Sequence, residues 1–211
     1  MNAELIAAAL PLAAWGAHAT LMRRRLEKAG RDPLTGLLTR DAFTTRAERI
    51  MRRPDAVVVF IDLDRFKQVN DTHGHAAGDA VLKDTAAHLT HWTGDFGYPA
   101  RLGGDEFAVI RPLSRLETAR RLYFLNAYLS EPVTYQGHSL PRGASIGIAR
   151  VADLPDRSLT TALTAADTAM YRAKDRATGP VIYDPADRDE PRRWRRTGPG
   201  ALATRTGGTQ S

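Results

Sequence analysis

The sequence contains no cysteine, so disulfide bonds, thiolate metal ligands and a cysteine nucleophile are all excluded. It also shows no internal repeat. The hydrophobic fraction of 43% and the charged fraction of 26% are those of an ordinary soluble domain and not of a disordered chain. Its 211 residues are enough for one globular domain with extensions.

The net charge of +6 comes largely from the two ends of the chain. Basic clusters stand at residues 23–31 and at residues 192–196. A basic balance suits nucleic acid or an anionic membrane surface, but a pair of solvated tails is the commoner explanation. Nucleic acid is therefore not an expected partner.

Residues 5–22 form an apolar run followed directly by arginines. Its length is short of the roughly 20 residues that span a bilayer, although the positive flank is typical of the cytoplasmic side. The run is either an anchor at the inner face of the cell membrane or a helix that packs on the domain or on a partner subunit. We assign residues 1–31 to this helix and its flank, 32–183 to a cytoplasmic catalytic domain, and 184–211 to a disordered basic tail.

Between these ends, short apolar strands alternate with helical patterns. Strands are predicted at residues 56–61, 98–102, 107–111, 143–151 and 181–183. Helices are predicted at residues 41–53 with Asp41 as N-cap, from 64 to 70, and at 79–92, 116–129 and 159–176, with a loop over residues 73–79. This order predicts an α/β sandwich with a central mixed sheet and one β-hairpin.

Two acidic clusters stand at the ends of predicted strands: Asp62 with Asp64, and Asp105 with Glu106. Charge near a buried strand needs compensation, and Mg²⁺ is a natural partner because it takes carboxylate oxygens together with a substrate's phosphates. The adjacent Gly103–Gly104 pair would let a phosphate approach the backbone. Solvated acids beside an ordinary tight turn are the alternative.

Five blocks, in order, resemble the GGDEF family of diguanylate cyclases. They are residues 32–37 (DPLTGL), 62–79 (DLDRFKQVNDTHGHAAGD), 101–107 (RLGGDEF), 145–149 (SIGIA) and 166–174 (ADTAMYRAK). Five ordered blocks are far more specific than one short string. The resemblance implies a palm-like nucleotidyl cyclase fold and the condensation of two GTP into cyclic di-GMP by a homodimer, with two Mg²⁺ per site.

The resemblance also assigns roles. The metal ligands would be Asp62, the Leu63 carbonyl, Asp105 and Glu106, with Asp105 and Glu106 catalytic. The substrate-binding residues would be Asn70 and Asp79 on the guanine edge, the Phe66 and Lys67 backbone and Lys174 on the phosphates, and Gly103 and Gly104 against the nucleotide. Helix capping by Asn70 and Asp79, and a plain surface position for Lys174, are the alternatives.

Three departures from the family pattern stand out. Gly94 and Gly97 replace the Arg and Asp of the family's inhibitory Arg-x-x-Asp site, so product inhibition there is not expected. Thr178 replaces a second phosphate-binding arginine, for which Arg176 is a candidate substitute. Thr39 replaces an asparagine of the opening block, while Arg40 is retained. A domain that binds nucleotide or a protein partner without turnover, and an enzyme with a mixed guanine–adenine product, are the rival hypotheses.

Overall fold

The computed structural model describes residues 30–176 and 179–186. The helices are α1 (Arg40–Met51), α2 (Phe66–His73), α3 (His75–Thr93), α4 (Arg115–Ser130) and α5 (Leu159–Arg176). The strands are β1 (Ala56–Leu63), β2 (Tyr98–Gly103), β3 (Glu106–Pro112), β4 (Val133–Tyr135), β5 (His138–Leu140), β6 (Ala144–Arg150) and β7 (Val181–Ile182). The predictions for residues 1–29, Thr178 and 187–211 lie outside these ranges.

Five strands form the central sheet in the order β2-β3-β1-β6-β7. The pairs β2–β3, β3–β1 and β1–β6 are antiparallel, and β6–β7 is parallel. The predicted mixed sheet is therefore confirmed. Strand β1 lies at its centre, and its sequence is continuously apolar up to Asp62 because both of its faces are covered.

Alternate residues of β1 enter two separate cores. Val57, Val59, Ile61 and Leu63 pack beneath α3 and α4. Val58 and Phe60 face the opposite core, which is covered by α1 and α5. Asp62 follows this second set, so the fold directs its carboxylate toward the α1 and α5 side of the sheet.

A glycine fixes how closely α5 approaches the sheet. A Cβ at Gly147 of β6 would lie 2.0 Å from the Ala166 carbonyl oxygen and 2.1 Å from the Met170 nitrogen. Both are backbone atoms of α5, and they cannot move without moving the helix. The contact sets the position of Lys174, one turn further along α5.

The structure corrects three local predictions. Helix α1 begins at Arg40 with Thr39 as N-cap, so Asp41 lies in the first turn and is not the cap. Helix α3 begins at His75, because Gly74 with φ of +82° separates it from α2, and most of the predicted loop 73–79 is helical. The hairpin β4–β5 was not predicted, since each of its strands has only three residues.

No helix within the described ranges is long and apolar enough to cross a bilayer. The apolar run at residues 5–22 lies outside them.

Candidate active site

The carboxyl end of β1 meets the turn between β2 and β3. Asp62 and Glu106 are directly opposite in the antiparallel register, so their side chains share one face of the sheet. The Leu63 N–H donates a hydrogen bond to the Asp105 carbonyl oxygen at 3.2 Å. The two acidic segments, which are more than forty positions apart in the sequence, therefore come together.

The turn itself is held by Arg101. Its guanidinium donates to the Gly104 carbonyl oxygen from Nε at 3.0 Å and from Nη2 at 2.8 Å, and its Nη1 forms an ion pair with Asp32 at 3.2 Å. Gly103 and Gly104 have φ values of +152° and +51°, and the register shifts between Arg101 and Gly103. This bulge places Asp105 at the tip of the hairpin, beside the end of β1.

Asp32 takes part in this support from the opening block. Burial by itself raises the pKa of Asp32, but hydrogen bonds from the Thr35 side chain and backbone and from Arg101 hold it below its ordinary value of 3.8. Both members of the Asp32–Arg101 pair are mostly buried, with 19% and 16% of their side chains exposed. The sequence assigned no role to either residue, although both lie in blocks that resemble the family, at residues 32–37 and 101–107.

The nearby cations do not fully offset the burial of the carboxylates on the site face. Burial raises the pKa of Asp62, the Lys174 ammonium opposes the rise, and the Asp105 and Asp64 carboxylates add to it. Burial likewise raises the pKa of Glu106, against the effect of Arg40, whose guanidinium lies 3.8 Å away.

Lys174 lies over this site and not on an unrelated surface. Its Nζ donates a hydrogen bond to Oδ1 of Asp62 at 2.5 Å. Burial alone would lower the pKa of Lys174, but the hydrogen bond and the nearby carboxylates raise it. About half of the Lys174 side chain is exposed, so it is a surface lysine that also contacts the end of β1; its role toward substrate stays a prediction.

The donor set fits Mg²⁺ shared with a substrate. Within the described residues, no group of three or more His, Cys, Asp or Glu side chains is arranged to hold an ion by itself. Mg²⁺ commonly uses one or two protein carboxylates and completes its shell with phosphate oxygens and water. The paired Asp62 and Glu106, with raised pKa values and a partly compensating lysine, offer that kind of incomplete shell.

Asp64 has a different position from Asp62. Its Oδ1 accepts a hydrogen bond from the Ser145 hydroxyl at 2.7 Å, and its backbone N–H donates to the Gly143 carbonyl at 2.9 Å. Asp64 therefore ties the β1–α2 loop to the start of β6. Its effect on the site is electrostatic, through the pKa of Asp62.

Helices α2 and α3 make a second close contact beside the carboxylates. A Cβ at the buried Gly78 would lie 2.0 Å from Oδ1 of Asn70 and 3.2 Å from Cζ of Phe66. Glycine at this position thus makes room for the Asn70 amide. Asp79, the next residue of α3, is exposed beside it and lies inside the helix, so it is not a cap. Asn70 is also inside its helix.

A cavity of about 710 Å³ lies beside the amino-terminal end of α2. It is bounded by α2, the start of β6 and the final turns of α4 and α5; we call it the α2 cavity, and its charged or polar lining includes Asp64, Arg65, Arg142, Ser145 and Lys174. The Arg65 side chain does not cap the helix. The Phe66 and Lys67 positions form the first turn of α2, at the positive end of its dipole.

The family model described as "Diguanylate cyclase, GGDEF domain" matches residues 29–179. The chain belongs to the GGDEF family. Family membership and the palm-like cyclase fold are therefore confirmed, and the predicted enzyme class, diguanylate cyclase, is that of the family.

Relatives of this GGDEF domain occur in several bacteria. An uncharacterized 19.3 kDa protein of Streptomyces ambofaciens is 51% identical over 84% of this chain and 96% of its own length. Diguanylate cyclase DgcP of Pseudomonas aeruginosa is 37% identical over 74% of this chain, which spans only 24% of DgcP. The solved GGDEF domain of TpbB (YfiN) from Pseudomonas aeruginosa aligns with a TM-score of 0.67 at 37% identity, covering 73% of this chain and 94% of that one.

The inhibitory-site departure has a structural basis in this GGDEF domain. Gly97 lies against β3, and a Cβ there would be 2.2 Å from the Ile110 carbonyl oxygen. The backbone as it stands does not accept an aspartate at this position. The absence of product inhibition at this position stays a prediction.

Proposed function

We propose that this GGDEF domain condenses two GTP molecules into cyclic di-GMP and releases pyrophosphate. The observation that carries the proposal is the register pairing of Asp62 with Glu106, reinforced by the Leu63–Asp105 backbone hydrogen bond. This pairing gathers carboxylates at one end of the central strand, with Lys174 above them.

The nucleotide would lie along the surface from α3 to α5. Asn70 and Asp79 offer an amide and a carboxylate from adjoining helices, and guanine presents the matching acceptor and donors on its edge. The Phe66 and Lys67 N–H groups would bind phosphate oxygens, as expected at a helix amino terminus. Lys174 would turn from Asp62 to the β- and γ-phosphates. Gly103 and Gly104, with no side-chain atoms, would leave the hairpin surface open to the nucleotide.

The chemistry is a phosphoryl transfer in each of two half-sites. A 3′-hydroxyl oxygen forms a bond to the α-phosphorus of the partner GTP, the bond from that phosphorus to the β-phosphate bridging oxygen breaks, and pyrophosphate leaves. Asp62, the Leu63 carbonyl, Asp105 and Glu106 would hold Mg²⁺, which would offset the phosphate charge and help to activate the hydroxyl. Glu106, whose pKa is raised by burial, would accept the hydroxyl proton.

One domain holding one GTP cannot supply both the nucleophile and the electrophile symmetrically. We therefore propose a homodimer whose two sites face each other, so that activity depends on the dimer population. Residues 5–22, as a membrane tether or a packed helix, would raise the local concentration of domains.

The direct test is incubation of the purified full chain with GTP and Mg²⁺, followed by mass analysis of products. Wild type should yield cyclic di-GMP and pyrophosphate. Asp105→Asn combined with Glu106→Gln preserves side-chain size and the Leu63 backbone contact while removing both charges. Glu48→Gln makes the same carboxylate-to-amide change at an exposed position of α1 outside the two acidic segments and serves as the control.

The proposal requires loss of product in the double variant and full activity in the control. A wild-type chain that binds GTP but forms no dinucleotide would support the rival binding-only domain. A double variant that still forms cyclic di-GMP would show that the carboxylates have been assigned wrongly.

A further inference from the structure

The phosphate end of the proposed site lacks one expected cation. In the family the late helix supplies a lysine and an arginine, and here the arginine position holds Thr178. Arg176, the last residue of α5, does not line the α2 cavity. GTP brings several negative charges to this end of the site, so a second cation near Lys174 would contribute strongly to its binding.

Three side chains with a full positive charge line the α2 cavity: Arg65, Arg142 and Lys174. Arg142 is already engaged, because its buried guanidinium bonds to the Asp84 carboxylate and the Tyr128 carbonyl oxygen. Only 1% of the Arg142 side chain is exposed, and it could bind a ligand only by breaking its ion pair with Asp84. Lys174 contacts Asp62 at the site already described.

Arg65 differs from both. It is exposed, and its side chain makes no hydrogen bond or ion pair within residues 30–176 and 179–186. It stands directly before the first turn of α2, in the loop that carries Asp62 and Asp64. An exposed cation is thus placed beside the backbone N–H groups that the proposed function assigns to phosphate.

The backbone of Arg65 points to the same conclusion. Its φ of +57° and ψ of +22° lie in the left-handed region, which costs a non-glycine residue about 1 kcal/mol or more. Glycine or asparagine would relieve this strain, yet the position holds an arginine. Strained residues of this kind cluster at ligand sites.

We propose that Arg65 binds the terminal phosphates of GTP and supplies the cation that Thr178 does not. The inference rests on the proposed function, because it assigns a further substrate-binding residue to the same site. The planar guanidinium can bind two phosphate oxygens at once, which a lysine cannot do. The α2 cavity gives this side chain open space next to Lys174.

The test measures equilibrium binding of 3′-deoxy-GTP and 3′-deoxy-GMP to the full chain with Mg²⁺. These ligands lack the attacking hydroxyl, so binding is measured without turnover. Arg65→Asn is the central variant, because asparagine tolerates the left-handed conformation. Arg49→Asn removes the same charge from an exposed position of α1 outside the cavity and is the matched control. Thermal melting checks that each variant is folded.

We expect Arg65→Asn to weaken 3′-deoxy-GTP binding about tenfold or more, as for the loss of charge-assisted hydrogen bonds. Binding of 3′-deoxy-GMP, which lacks the terminal phosphates, should stay nearly unchanged, as should both affinities of Arg49→Asn. Adding Thr178→Arg to Arg65→Asn should restore most of the triphosphate affinity. Arg65→Lys keeps the charge and the backbone strain, so it should lose less affinity than Arg65→Asn.

The failures are distinguishable. If wild type binds neither ligand, the proposed function itself fails. If wild type binds 3′-deoxy-GTP and Arg65→Asn binds it equally well, Arg65 is not a phosphate ligand and the inference is overturned. Equal losses for the triphosphate and the monophosphate would also overturn it. If Arg65→Asn fails to fold, Arg65→Lys becomes the test variant. A triphosphate affinity of Arg65→Lys equal to that of wild type, with no further gain when Thr178→Arg is added, would then count against the bidentate contact.

Discussion

Replacing Gly78 with alanine puts a methyl carbon where the Asn70 amide now lies. The added Cβ would be 2.0 Å from Oδ1 and 2.9 Å from Cγ of Asn70, against about 3.5–4.0 Å for an ordinary contact. The clash is with the end of a side chain, so the amide can rotate away while the helices stay in place. In a helix interior alanine is favoured over glycine by about 1 kcal/mol. This gain offsets the cost of moving the amide, so the free energy of unfolding should change little.

The cost should instead appear in substrate binding. If Asn70 binds guanine as proposed, a rotated Asn70 would lose those hydrogen bonds, each worth about 0.5–1.5 kcal/mol. The KM for GTP should therefore rise roughly threefold to tenfold, with a smaller change in kcat. Steady-state kinetics of pyrophosphate release measures both constants, and thermal melting verifies that Gly78→Ala is folded.

A double-mutant cycle shows whether the effect passes through Asn70. In an Asn70→Ala background, the amide is gone and the Cβ at position 78 has nothing to displace, so Gly78→Ala should leave KM where Asn70→Ala put it. If the two substitutions multiply their effects, or if Gly78→Ala alone leaves KM unchanged, the Asn70–Gly78 contact does not position a guanine ligand.

Two further predictions concern the frame that holds the site. Gly147→Ala should lower the free energy of unfolding by about 2–3 kcal/mol or prevent folding, because its Cβ would meet the backbone carbonyl oxygen of Ala166 at 2.0 Å and no side chain can yield; an unchanged melting temperature would contradict the close packing of α5 on β6. Asp32→Asn should destabilise the domain by about 1 kcal/mol at pH 7. Because hydrogen bonds hold the pKa of Asp32 below its unfolded value of 3.8, its contribution is present above that pH and is lost as pH falls through the lower folded pKa. Chemical denaturation of wild type and Asp32→Asn at pH 7 and in acid should show the two curves converging in acid; a constant difference would rule out the charged pair with Arg101 as the cause.

The sequence predicted the long periodic elements well. Helix α5 matches residues 159–176 to the residue, and β6 has Ile146 and Ile148 on one face as expected. In these segments the apolar residues recur at the spacing of the buried face, so the local sequence is enough to predict the element. Strand β1 extends two residues past its predicted end, because Asp62 still pairs with both β3 and β6 and Leu63 still pairs with β6.

Predictions that depended on contacts across the fold were less complete. The start of α3 at His75 was not predicted, because the glycines and histidines of residues 73–79 are typical of a loop. Helices α2 and α3 pack on each other although the local sequence there only weakly predicts helix. The requirement for glycine at positions 78 and 147 comes entirely from atoms of other elements. Arg101 lies two residues before the GGDEF motif, but its hydrogen bonds to Asp32 and Gly104 form only in the folded turn and could not be predicted from the sequence.

The site depends most on a strand register that no local pattern states. The resemblance implied that Asp62 and Glu106 act together, and the pairing of β1 with β3 gives the physical reason. Phe107 of β3 belongs to the α3 and α4 side of the core, while Ala108 belongs to the α1 and α5 side. A slip of β3 by one residue would exchange these faces, exposing the small residue to the larger core and turning Glu106 away from Asp62. The apolar alternation that stabilises the sheet is therefore the same feature that holds the two carboxylates on one face.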